Sequence, residues 1–216
     1  EEEKTDYEKK AVLALKRESK PYLDSLDKAN NKFKPVQFIV GSGYNPRNRF
    51  KRENYSFSSL INAFFYNTVE GFGINYQAGY SKRLDSLTNK YVNFAGKVRY
   101  GFSSEKLYGS VSGNIPVKEA TFSFNLGSDV LDLNNVGSIS QLGNSINSLF
   151  YERNFLKLYE KKFISASLSQ RFGGFVGSIT TEWANRSTLN NTSDYTVRDL
   201  KDRVFTSNNP FEIAPF

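Results

Sequence analysis

From Phe72 to Ser81 the chain alternates without a break. Phe72, Ile74, Tyr76, Ala78 and Tyr80 fall on one side, and Gly73, Asn75, Gln77, Gly79 and Ser81 on the other. A period of two belongs to an extended strand with one apolar and one polar face. The rule returns from Tyr91 to Phe102, where Val92, Phe94, Val98, Tyr100 and Phe102 oppose Asn93, Ala95, Lys97, Arg99 and Gly101. It governs Leu107, Val111 and Ile115 before Pro116, and Ala120, Phe122, Phe124 and Leu126 after it. Ile164, Ala166, Leu168 and Phe172 follow it too. A Gly173-Gly174 hairpin signal then leads into Phe175, Ile179 and Trp183, opposed by Ser178, Thr180 and Glu182. The predicted fold class is all-β and antiparallel.

Composition agrees and removes several chemistries. Aromatic residues make up 15%, with 19 Phe and 13 Tyr against one Trp, which favours strands over helices. No apolar run is long enough for a transmembrane helix, a test that says nothing of membrane strands. The chain has no Cys and no His. Thiol nucleophiles, Ser-His-Asp triads, and thiolate or imidazole metal sites are therefore excluded. We expect no enzymatic activity and no cofactor. The net charge of +7 comes from scattered Lys and Arg without interleaved aromatic clusters, so no nucleic-acid partner is expected. Glu1-Glu2-Glu3-Lys4 is the opposite of a signal peptide's apolar core, as expected of a mature or excised segment.

Two stretches break the strand rule. Residues 1–34 carry helical spacing (Tyr7, Val12, Leu13, Leu15, then Tyr22, Leu23, Leu26), split by Pro21, and read as a helical lead-in. Residues 35–216 form the β segment, with strands expected from Pro35 to Tyr44 and from Tyr55 to Phe65. Turns are expected at Asp85-Ser86 with Asn89, at Ser103-Ser104, and around Pro210 and Pro215. Between Asp129 and Lys161, Leu133, Val136, Ile139, Leu142, Ile146 and Leu149 recur every three or four residues. They predict an inserted amphipathic helix at about 132–160, weakened by Gly137 and Gly143 and capped by Asp129 and Asp132.

Alternation defines two faces and not their surroundings. One solution is a transmembrane β-barrel, apolar outside and polar in its lumen; the other is a soluble ligand-binding β-sandwich or barrel. Strand lengths near those needed to span a bilayer, aromatic residues at strand ends and an uncharged apolar face suit the first. Against it, the longest connection falls on the same side as the Ser103-Ser104 turn, whereas such barrels alternate short inner turns with long outer loops.

Local phrases extend this reading. Phe64-Phe65-Tyr66-Asn67-Thr68-Val69-Glu70-Gly71 resembles the signature of a functionally uncharacterised outer-membrane barrel family of Bacteroidetes. Tyr22–Asp27, Asn154–Tyr159, Arg186–Asn191 and Phe205–Pro210 are similar to further phrases of that family, in the same order. Family members often carry an N-terminal carboxypeptidase-regulatory-like β-sandwich and more barrel strands. The resemblance implies an internal piece of an outer-membrane protein serving as membrane scaffold or solute passage. Its implied partners are the lipid bilayer and either a periplasmic protein or the protein's own N-terminal domain.

The candidate residues are Asn67, Thr68, Glu70 and Gly71 at the corner, and the charges Arg83, Lys97, Arg99, Arg171 and Glu182 on polar faces. Glu70 has two readings: a lumen carboxylate paired with Arg or Lys, or a turn residue that, with Asn67, satisfies backbone groups. Lys97, Arg99, Arg83 and Arg171 have two as well: a cationic stripe favouring anionic solutes, or ordinary charges paired with Glu70 and Glu182.

Overall fold

The computed structural model describes residues 6–85, 90–134, 139–200 and 203–209. Helix α1 (Asp6–Glu18) is followed by α2 (Lys20–Asn30), with Ser19 as N-cap and Pro21 in the new first turn, where its missing N–H costs nothing. Residues Pro35–Val40 form α3, not the expected strand. Val36, Phe38 and Val40 fit a period of two, but Pro35 presets the helical φ of a first turn. Phe33 then packs on Phe38 at 5.3 Å and on Tyr44 at 5.4 Å.

Short strands β1 (Arg47–Asn48) and β2 (Glu53–Phe57) precede a single helical turn, α4 (Leu60–Ala63), and β3 (Phe64–Asn67). The expected strand from Tyr55 to Phe65 is thus two strands lying end to end along one neighbour, β4 (Gly71–Arg83). β2 pairs with its second half (Phe57↔Ala78) and β3 with its first (Asn67↔Gly71). Long strands follow: β5 (Tyr91–Gly101), β6 (Lys106–Val117) and β7 (Ala120–Asp132). Helix α5 (Gln141–Tyr151) then precedes β8 (Leu158–Phe172) and β9 (Phe175–Thr188). The expected turn residues Ser86, Asn89, Pro210 and Pro215 lie outside the described residues, as do Val136 and Gly137.

All strands join one antiparallel nine-stranded sheet in the order β1-β2-β4-β5-β6-β7-β8-β9, with β3 also on β4. The sheet is open, because β9 and β1 are not paired to each other. Register turns the alternation of single strands into continuous rows. One row runs Gly96, Val111, Leu126, Ile164 and Trp183; another on the same face, four residues along each strand, runs Ile115, Phe122, Leu168 and Ile179. On the opposite face runs Gly79, Ala95, Ser112, Asn125, Ser165 and Glu182. A meander of neighbours in register is sufficient to sort the whole sheet into an apolar and a polar side.

The apolar rows do not form the core. Among the described residues the buried hydrophobics are Ala63, Phe65, Tyr66, Val69, Tyr108, Val130, Leu158 and Leu189, gathered at the end of the sheet where β4 begins. This Gly71 end also holds the β5–β6 turn, the long β7–β8 connection with α5, and the segment after β9. The Arg83 end holds the tight turns at Lys118-Glu119 and Gly173-Gly174. The conflict between the long connection and the Ser103-Ser104 turn therefore persists in three dimensions.

Helix α5 is shorter than the expected 132–160 insertion, because β7 stays in register with β8 as far as Asp132↔Leu158. Its cap is Ser140, whose Oγ accepts from the Gly143 N–H at 3.0 Å. Asp129 and Asp132 are not its caps; both lie in β7. The helix turns Asn144, Ser145 and Ser148 inward and leaves Leu142, Ile146 and Phe150 exposed. Among the described residues no helix is long and apolar enough to cross a membrane.

Candidate functional site

The corner between β3 and β4 is a three-residue loop, Thr68-Val69-Glu70, closed by Gly71 at φ +68°. Only glycine takes that conformation cheaply, and a Cβ there would meet Ser103 Oγ at 2.0 Å. Asn67 Oδ1 accepts the N–H groups of Val69 at 2.9 Å and Glu70 at 2.8 Å, while its amide donates to Glu70 Oε2 at 2.9 Å. One asparagine thus forms the turn and aims the carboxylate.

Glu70 is fully buried and receives Arg99 of β5 in a two-pronged pair. Nε donates to Oε1 at 2.8 Å, and Nη2 donates to Oε2. The guanidinium lies 4.5 Å from the centre of the Phe65 ring. Gly101, two residues further along β5, makes room: a Cβ there would stand 2.7 Å from Glu70 Cβ. A planar, bidentate pair with its remaining lone pairs satisfied is the form in which a buried charge is tolerated. Glu70 is thus both the partner of a polar-face arginine and part of a turn that satisfies its own backbone.

Thr68 extends the network to the β7–β8 connection and the segment after β9. Its Oγ1 donates to Asn191 Oδ1 at 2.8 Å and accepts from Asn154 Nδ2 at 2.6 Å; its carbonyl accepts from the N–H groups of Thr192 and Ser193. Asn154 in turn accepts from Asn144 Nδ2 at 3.0 Å, and Asn144 Oδ1 takes the N–H groups of Phe155 and Leu156. On the adjacent strand, Ser145 Oγ accepts the Tyr66 N–H at 2.8 Å, so α5 covers part of the free edge of β3. Asn208 bridges Leu158 N–H, Leu158 C=O and Leu189 C=O, joining the last described segment to β8. Nearby, Lys157 Nζ donates to Thr206 Oγ1 at 2.8 Å and to Ser207 C=O at 2.5 Å, and burial lowers its ammonium pKa below the ordinary lysine value.

The other candidate charges do not join this cluster. Lys97, next along the polar face, pairs with Asp129 at 2.5 Å. Glu182 pairs with Lys161 at 2.8 Å and Arg186 at 3.6 Å. Arg83 is at the other end, 6.0 Å from the ring centre of Tyr91, and Arg171 is exposed beside the Gly173-Gly174 turn. The four cations are thus spread over both ends of the sheet, and the two central ones each face a carboxylate.

Sequence reasoning missed Asn144, Asn154, Asn191 and Asn208 as site residues. Three of them stand in the phrases that drew the family resemblance (154–159, 186–191 and 205–210). Asn154 and Asn191 meet a fourth phrase, 64–71, at Thr68, and Asn208 ties its own phrase to the other two through Leu158 and Leu189. Asn144 carried no such signal. The fold and the site together define a mostly antiparallel β domain whose distant loops are tied to one buried polar corner. The chain belongs to a family of unknown function (DUF5686), the C-terminal domain of which matches residues 36–215. No curated protein and no solved structure gives a significant match.

Proposed function

We propose that this domain is a section of an outer-membrane β-barrel, with its apolar rows in lipid, its polar rows toward a lumen and its Gly71 end as a rigid anchor. One observation carries the reading. The rows that should form a soluble protein's core are outside, with Val98 55% exposed and Trp183 68% exposed, while Glu70 is fully buried. A contiguous apolar face of this extent needs either a second protein layer or an apolar solvent. The long strands, 11 to 15 residues each, meet the length a tilted membrane strand needs. Tyr100 and Phe102 at one end, and Tyr91, Phe172 and Phe175 at the other, suit the aromatic girdles of the interfaces.

In this reading the free edges at β1 and β9 are where further strands complete the barrel. The resemblance adds a Bacteroidetes source and an N-terminal carboxypeptidase-regulatory-like domain, for which the anchored end would be the membrane scaffold. The role we infer is scaffold or solute passage, without catalysis. The test is refolding of the purified protein with and without detergent or lipid vesicles. Folded, strand-rich protein only when detergent or lipid is present supports the proposal. A stable monomer in plain buffer overturns it and favours a soluble ligand-binding β protein. Conductance of the full-length protein in planar bilayers separates passage from scaffold.

A further inference from the structure

Beside the buried corner, between the end of α5 and the segment after β9, lies a cavity of about 710 Å³ whose walls include Glu152, Asn191, Thr192, Asp194, Asp199 and Arg203. Its volume is that of a small-molecule site. Most polar groups on its wall are already engaged. Thr192 Oγ1 donates to Val69 C=O, Thr196 Oγ1 donates to Leu149 C=O, Asn191 is held by Thr68 and Thr206, and Arg203 Nη1 donates to Tyr151 C=O at 2.9 Å. The remaining acceptors on the wall include the carboxylates of Glu152, Asp194 and Asp199.

Glu152 is the unusual member. It is only 8% exposed, and Oε1 accepts the Leu200 N–H at 3.0 Å, but Oε2 is buried without any hydrogen-bond partner. It also sits at φ +51° as the C-cap of α5, a position where glycine or asparagine is the ordinary choice. A buried carboxylate with one backbone donor and, among the described residues, no ion-pair partner is costly, and an incoming cation would remove that cost. Asp194 and Asp199 add two solvent-exposed carboxylates. Among the described residues the wall is therefore acidic, three carboxylates to one guanidinium, on a chain whose net charge is +7. Among the described residues no three carboxylates are grouped to hold a metal ion. A ligand that brings its own N–H donors fits this wall better than a bare ion.

We propose that the cavity binds one organic cationic group, a primary ammonium or a guanidinium, with Glu152 as its principal counter-charge and Asp199 and Asp194 as outer acceptors. The group can come from a free polyamine or from a lysine or arginine side chain of a partner polypeptide. This does not depend on the membrane reading, because the site lies in the loops of the Gly71 end.

The Leu200 amide, bonded to Glu152, is a local reporter. In ¹⁵N-labelled full chain held in zwitterionic micelles, titration with n-butylammonium or ethylguanidinium is expected to shift the Leu200 resonance saturably, and n-butanol is expected to leave it in place. Glu152→Gln keeps an oxygen for Leu200 and should weaken the apparent affinity at least tenfold; Asp199→Asn should weaken it a few-fold, with the remaining spectrum unchanged in both. Spermidine binding more tightly than acetyl-Gly-Lys-Gly-amide and acetyl-Gly-Arg-Gly-amide assigns the site to free polyamines, and the reverse order assigns it to a polypeptide partner. The proposal is overturned by the absence of a saturable Leu200 shift with either cation, or by equal shifts in Glu152→Gln.

Discussion

At the Gly71 end Asn67, Thr68, Glu70 and Asn144 are buried, whereas along the middle of the sheet Val98, Ile164, Ile179 and Trp183 stand more than half exposed. The two regions share strands, so the difference is not one of secondary structure. At the corner, polar side chains meet partners brought from elsewhere in the chain: Arg99 from β5, Asn154 from the β7–β8 connection, Asn191 from beyond β9. In the middle, among the described residues, the apolar rows stay exposed. Burial in this domain follows hydrogen-bond satisfaction, and the apolar rows await a medium, which we propose is lipid.

The largest expected effect tests the corner. Glu70→Gln leaves Arg99 buried without its counter-charge and should lower unfolding stability by about 3–5 kcal/mol in denaturant titrations of the lipid-refolded protein. Glu70→Gln with Arg99→Met, which removes both charges, should recover much of that loss. If the single variant is neutral, the corner is not the anchor.

Next comes the middle of the sheet. Leu126→Arg on the apolar row should cost roughly 2–4 kcal/mol in lipid vesicles, while Asn125→Lys on the opposite face should cost under about 1 kcal/mol. Equal costs for the two would erase the distinction between the faces and with it the membrane assignment.

Asn208→Ala removes three hydrogen bonds and orphans buried backbone groups of Leu158 and Leu189. The expected loss is about 1–3 kcal/mol, accompanied by faster amide exchange at Leu158. The smallest effect belongs to the partly exposed triad around Glu182. Glu182→Gln should change stability by less than about 1 kcal/mol, because solvent screens that cluster as it cannot screen Glu70. A large effect there would mean the polar face is drier than its exposure indicates.

Much of the fold was legible in the residues because a period of two is local. Tyr91 to Phe102 could be nothing but a strand, and Gly173-Gly174 nothing but a turn. The errors fell where local pattern is ambiguous. Val36, Phe38 and Val40 alternate over too short a run to outweigh a proline at a helix start. The helical spacing that began at Leu133 ignored the pairing of Asp132 with Leu158, a contact 26 residues distant in sequence. Glu70 stood out as a carboxylate in a polar corner, and pairing with it was one of the two readings of Arg99, although nothing local singled out Arg99 among the four cations.

Taken alone, the amino-acid sequence determined the strands, their two faces and the chemistry that the chain lacks, since alternation and composition need no partner to be read. Only the tertiary structure decided which face is buried and where. Hydrogen bonds tie Asn154 and Asn191 to Thr68 across 86 and 123 residues and Asn208 to Leu158 across 50, and no local pattern encodes which loop will bring the matching partner.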